Sequence, residues 1–224
     1  MTVKKYLHEW CVWILQNIFE DLHRYVLFLR ECGGILSCPS VGLYLLALAK
    51  DSVDHYHTLE LHLTDKDVMD FKQLLVGEGY GTLPGTSRHK YWLDHPEGRR
   101  HIHTVEAFQR GGQCVILFTS PTPSVVCSIF SQRCGAGIAS IAVDYVFIGY
   151  PWLTLSHRAT INPWMMDTRM TERFILHLRQ FLLFDIAHLS AAWDLLHDCF
   201  HKDGCPWADH SSEDSVSLFF DSLH

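Results

Sequence analysis

Two histidine pairs, His55-Tyr56-His57 and His101-Ile102-His103, set imidazoles two residues apart, the spacing that puts both on one face of an extended chain. Imidazoles converging from two strands bind Zn2+ or Fe2+ well, so His55, His57 and His103 form a candidate metal-ligating set, with His62 close behind the first pair. The second chemistry is that of carboxylates. In Thr58-Leu59-Glu60-Leu61-His62-Leu63 the leucines alternate with polar residues, which predicts a half-buried strand and turns Thr58 and Glu60 to its outer face. Mg2+ requires several hard oxygens in near-octahedral order, so Glu60 needs acidic partners before it can hold one. Cys/His and Ser/His nucleophile pairs stay open, because such partners meet in space rather than in sequence, but no Gly-x-Ser-x-Gly elbow occurs.

The elements that position these residues follow from periodicity. From Val3 to Arg30 the apolar residues Tyr6, Trp10, Trp13, Ile14, Ile18, Leu22, Tyr25, Val26 and Leu29 recur at three- and four-residue steps, predicting one long amphipathic helix that ends at Cys32-Gly33-Gly34. A second helix is expected from Val41 to Lys50 with Ser40 as its cap. Thr64 can cap a helix whose buried face is Val68, Met69, Phe71, Leu74 and Leu75, closing at Gly77 to Gly81. Gly77-Glu78-Gly79-Tyr80-Gly81 mimics a nucleotide loop, yet it follows a helix instead of joining a strand to one, so it reads as a helix end and turn. Strands are expected at Ile102 to Phe108 and Cys114 to Thr119, joined by the hairpin chemistry of Arg110-Gly111-Gly112-Gln113, with an edge strand at Lys90 to Leu93. Pro123 can start a helix through Phe130, and the Gly- and Ala-rich stretch up to Ile148 fits either periodicity. Helices over Arg169 to Phe184 and Ala187 to His201 and a last strand at Val216 to Phe220 complete an α+β chain. Trp152 and Trp164, with Arg158 and Arg169 near, could stack a ring, though packing explains tryptophan there as well.

Composition narrows the classes. With 18 basic against 25 acidic residues the net charge is −7, and Lys4-Lys5 and Arg99-Arg100 are the two adjacent basic pairs, so a nucleic-acid binder is disfavoured. The apolar runs reach about half of the ~20 residues a membrane helix needs, and Lys4, Lys5, His8, Glu9, Gln16 and Asn17 interrupt any signal-peptide core, which points to the cytoplasm or nucleus. The 8 cysteines contain no Cys-x-x-Cys pair and read as reduced thiols. The aromatic surplus of the N-terminal helix, Trp10, Trp13 and Phe19, offers a face for a protein partner or a second copy, beside ordinary packing on its own domain.

Several strings in fixed order carry a resemblance. They are Gly33-Gly34-Ile35-Leu36-Ser37, the Thr58 to Leu63 strand, Gly77-Glu78-Gly79-Tyr80, Pro121-Thr122-Pro123, Tyr150-Pro151-Trp152-Leu153-Thr154-Leu155 leading to Ile161-Asn162-Pro163, and Cys205-Pro206 with Asp214. From Cys32 to Phe220 the chain resembles a broad family of uncharacterised fungal proteins with a nucleotidyltransferase-like domain. The resemblance implies a small mixed sheet flanked by helices, divided as an N-terminal helix (1–31), a nucleotidyltransferase-like α/β core (32–165) and C-terminal helices with a final strand (166–224), in one compact unit. It also implies phosphoryl transfer from a nucleoside triphosphate on Mg2+, with a Gly-Ser turn for phosphate, Asp-x-Asp or Asp-x-Glu on a strand, and a third Asp on a neighbouring strand.

Laid on this chain, the Gly-Ser pair falls at Cys38-Pro39, flanked by Ser37 and Ser40 as the phosphate-binding candidates, and Pro39 removes an N–H. The first acid falls at Thr58, the second at Glu60 and the third at Val115, so one carboxylate of three remains. Losing two negative ligands removes several kcal/mol of attraction for a dication even at an effective dielectric near ~20. The expectation is therefore an inactive nucleotidyltransferase homologue without a cofactor, serving as a ligand- or protein-binding module, with a nucleotide as one conceivable ligand. Two alternatives stand beside it. One is an active Mg2+-dependent transferase in which Asp54 or Glu106 joins Glu60. The other is a His-ligated Zn2+ or Fe2+ protein, since His55-x-His57-x-x-Glu60 with Pro84-Gly85 and His89 is similar to cupin metal motifs, although the Glu arrives one residue early, Pro and Gly are adjacent, and long terminal helices do not suit a small barrel.

Overall fold

Strand alternation organises the core. In the computed structural model, which describes residues 3–37, 58–84, 102–123, 125–130, 139–149, 158–159, 185–186 and 217–221, the leucines of the strand Thr58–Thr64 all point to one side of a mixed sheet. The described strands are β1 (Ile35–Ser37), β2 (Thr58–Thr64), β3 (Gly81–Leu83), β4 (Thr104–Arg110), β5 (Gln113–Ser120), β6 (Ala139–Ile141), β7 (Tyr145–Gly149), β8 (Arg158–Ala159), β9 (Asp185–Ile186) and β10 (Ser217–Asp221). Among the described residues eight of them form one sheet in the order β10-β7-β6-β1-β2-β5-β4-β3, while β8 and β9 pair separately. Every neighbour in the large sheet is antiparallel except β2 and β5, which run parallel. Parallel neighbours need a crossover, and the chain supplies it with α3 (Val68–Gly77) before returning through β3 and β4.

One face of the sheet carries Leu36, Leu59, Leu61, Leu63, Phe108, Val115, Leu117, Ile141 and Val146 and is covered by α1 (Val3–Gln16), α2 (Leu22–Cys32) and α3. Phe71 of α3 sits at the centre of this layer, with ring centroids 6.1 Å from Phe19, 5.5 Å from Tyr25 and 5.5 Å from Phe28. The opposite face is apolar in two patches. Ile35, Ala142 and Phe147 pack under Val125 and Ile129 beside the short helix α4 (Val126–Phe130), whereas Val105, Ala107, Ile116 and Phe118 pack with Ile102.

The N-terminal segment is two helices, not one. Asn17 Nδ2 donates to the Trp13 carbonyl at 2.8 Å, Ile18 N turns back to Leu15 O, and Asp21 then caps α2 by accepting from Arg24 N at 3.2 Å. Ile18 and Phe19 stay buried through the break, so the apolar stripe continues where the helix does not. The joint is held by side chains distant in sequence. Arg110 donates to Ile18 O at 3.0 Å, Tyr80 OH donates to the same carbonyl at 2.5 Å, and Gln113 Nε2 donates to Asn17 O. Glu78 accepts from the N–H groups of Glu20 at 3.3 Å and Asp21 at 3.1 Å, a carboxylate set where the dipole of α2 is positive.

Other sequence expectations shift by a few residues. The hairpin turns at Gly111-Gly112, with Gly111 at φ 57°, the left-handed conformation a two-residue turn demands. Thr64 hydrogen-bonds the Asp67 side chain at 2.5 Å and α3 starts after it. Ser120 and Thr122 form a local turn, so the helix expected from Pro123 begins only at Val126. Of the undecided stretch before Ile148, the described part forms the β6–β7 hairpin, and 131–138 lie outside the described residues. The helices expected at 41–50, 169–184 and 187–201 and the edge strand at 90–93 lie outside the described residues.

Candidate functional site

Register brings two of the predicted site residues, Ser37 and Glu60, to one row. Ser37, the last residue of β1, pairs with Glu60 of β2 and with Ser140 of β6, and Glu60 pairs on its other side with Ile116 of β5. Ser140, Ser37, Glu60 and Ile116 thus cross the sheet side by side on the face away from α1 to α3, where neighbouring side chains stand about 5 Å apart. Ser37 and Ser140 are fully buried, Glu60 is half-buried, and Thr58 at the start of β2 is exposed on that same face. Glu60 is the only carboxylate carried by β1, β2 or β5.

Val115 is not in this row. It pairs with Leu59, and strand alternation sends it, like Leu59, into the core beneath the helices. The residues of β5 that share Glu60's face are Cys114, Ile116, Phe118 and Ser120, one position out of step with the alignment that selected Val115. Glu106 is removed from Glu60 for the same reason. Its register partner is Leu117, its side chain lies on the helical face, and it ion-pairs with Lys72 of α3 while Thr104 Oγ1 donates to it at 3.4 Å. Glu60 and Glu106 therefore stand on opposite sides of a sheet and cannot share an ion. Ser40, Asp54, His55 and His57 lie outside the described residues.

His62 occupies the same face two residues beyond Glu60, fully buried, between Ile35 and Phe118. Its ring stacks on Phe118 at 4.7 Å with 10° between planes. Ser128 Oγ lies 2.7 Å from His62 Nδ1 and also 2.7 Å from the Val125 carbonyl. The Ser128 hydroxyl can donate to the Val125 carbonyl, and the tautomer of His62 decides which partner donates in the imidazole contact. Burial pushes the imidazole down to about 3, which keeps it neutral. The contact ties α4 to the sheet.

At the carboxyl ends of the parallel strands β2 and β5 stands the remaining predicted metal residue. His103 is exposed, its Nδ1 is 3.0 Å from both oxygens of Asp65, its N–H donates to Thr119 O at 2.7 Å, and Asp65 N donates to Ser120 O at 3.1 Å. Among the described residues no group of three or more His, Cys, Asp and Glu side chains is arranged to hold a metal. The thiols near the core are poor nucleophiles, because burial pushes Cys11 up to about 12 and Cys32 up to about 11.

Sequence reasoning set His62 close behind the candidate metal-ligating pair and did not single out Ser128. The signal was present in the spacing of Val125, Ser128 and Ile129, which puts Ser128 on the helix edge that descends to the sheet. Gly77 to Gly81 closes α3, and Glu78 within it serves the α1–α2 joint, which leaves that string with a structural task. None of the described helices is long and apolar enough to cross a membrane. Comparison with family models, curated proteins and solved structures finds no match to this chain.

Proposed function

We propose that this protein is a nucleotidyltransferase-like fold whose metal and phosphate site has eroded, so that it serves as a non-catalytic binding module for a ligand or a protein. The observation that carries this reading is the row Ser140–Ser37–Glu60–Ile116, in which hydroxyls and one carboxylate meet an apolar side chain where a second acid would be required. Two-metal transfer needs a clamp on both the attacking and the leaving oxygen, and a single half-buried carboxylate, even one that bridges two ions, leaves each short of the other anionic ligands it needs. Correcting the third position from Val115 to the Cys114 or Ile116 register leaves that balance unchanged, since none of the three carries a negative oxygen. The test is calorimetric titration with Mg-ATP and Mg-CTP, coupled to an assay for pyrophosphate. Absence of pyrophosphate release is expected, and the same result is expected for Glu60→Gln; tight binding with release that depends on Glu60 overturns the proposal.

A second reading, a His-ligated Zn2+ or Fe2+ protein, draws support from one contact. The Asp65 carboxylate grips His103 Nδ1, the arrangement by which carboxylates orient imidazoles toward a metal at the other nitrogen. Elemental analysis of untagged protein decides it, with less than about half an equivalent of either metal ending it.

A further inference from the structure

We draw no further inference here: the strongest candidate, the buried His62–Ser128 pair that fastens the short helix α4 to the sheet, belongs to the candidate site already described and would turn on the titration of an imidazole only two residues from Glu60.

Discussion

Acidification is the perturbation that tests the placement of His62 most directly. In the folded chain its imidazole is held neutral by burial down to about 3, against the usual 6.5 of an exposed ring. Below pH 6.5 the unfolded chain takes up a proton that the folded chain refuses, so stability attributable to His62 is complete above that value and is lost as pH falls toward 3. Each pH unit in that window is worth about 1.36 kcal/mol, giving a loss of about 2 kcal/mol at pH 5 and at most about 5 kcal/mol when the folded ring itself titrates. The sequence has 16 histidines, which makes a difference measurement necessary. His62→Gln keeps an N–H for Ser128 but cannot be protonated, so contributions from the other histidines cancel between the two proteins. Urea unfolding of both proteins at constant ionic strength from pH 7.5 to 5.0 is the assay. The wild-type advantage over His62→Gln is expected to shrink by about 2 kcal/mol across that range. Parallel stability curves would refute the reasoning, as would an NMR titration of the His62 ring with a midpoint near 6.5 in the folded protein.

Three further outcomes follow from packing. Arg110→Ala removes donors from Ile18 O, Gln113 and the Glu78 carbonyl at once, and is expected to cost about 2–3 kcal/mol in urea unfolding and to expose 17–21 to limited proteolysis; its contact with Glu20, 80% exposed, adds little. Gly34→Ala sets a methyl 2.6 Å from Leu29 Cδ2 and 2.9 Å from Leu63 Cδ2, where both leucines are buried, and should lower stability by about 1–3 kcal/mol in the same experiment. Phe71→Ala empties the junction of four rings and should cost about 3–5 kcal/mol, read as a fall in the urea midpoint with an unchanged slope.

Elements with strong alternation or clear caps were legible from residue order alone. β2, α3 and the β4–β5 hairpin follow from Leu59-x-Leu61-x-Leu63, from the spacing of Val68, Phe71 and Leu75, and from the Gly-Gly turn. The break between α1 and α2 was harder to read, because Ile18 and Phe19 keep the apolar stripe running while Asn17 and Asp21 cut the backbone ladder. Short-range chemistry contained that break, but periodicity concealed it. At the candidate site the pairing of Ser37 with Glu60 is a long-range fact that no local string expresses, and an uncertainty of one residue in aligning β5 moved Val115 to the wrong side of the sheet. The contact of His62 with α4 spans 66 residues of the chain, so its burial is not expressed in the residues that flank it.

The joint at 17–21 also sets an order of assembly. Its carbonyls are met by donors 92 and 96 residues downstream, on a hairpin that does not yet exist when the first helices leave a ribosome. At a synthesis rate of about 5–20 residues per second, that interval lasts about 5–20 s. Throughout it the joint lacks the Arg110 and Gln113 donors that close it, and slower translation of the hairpin lengthens that interval.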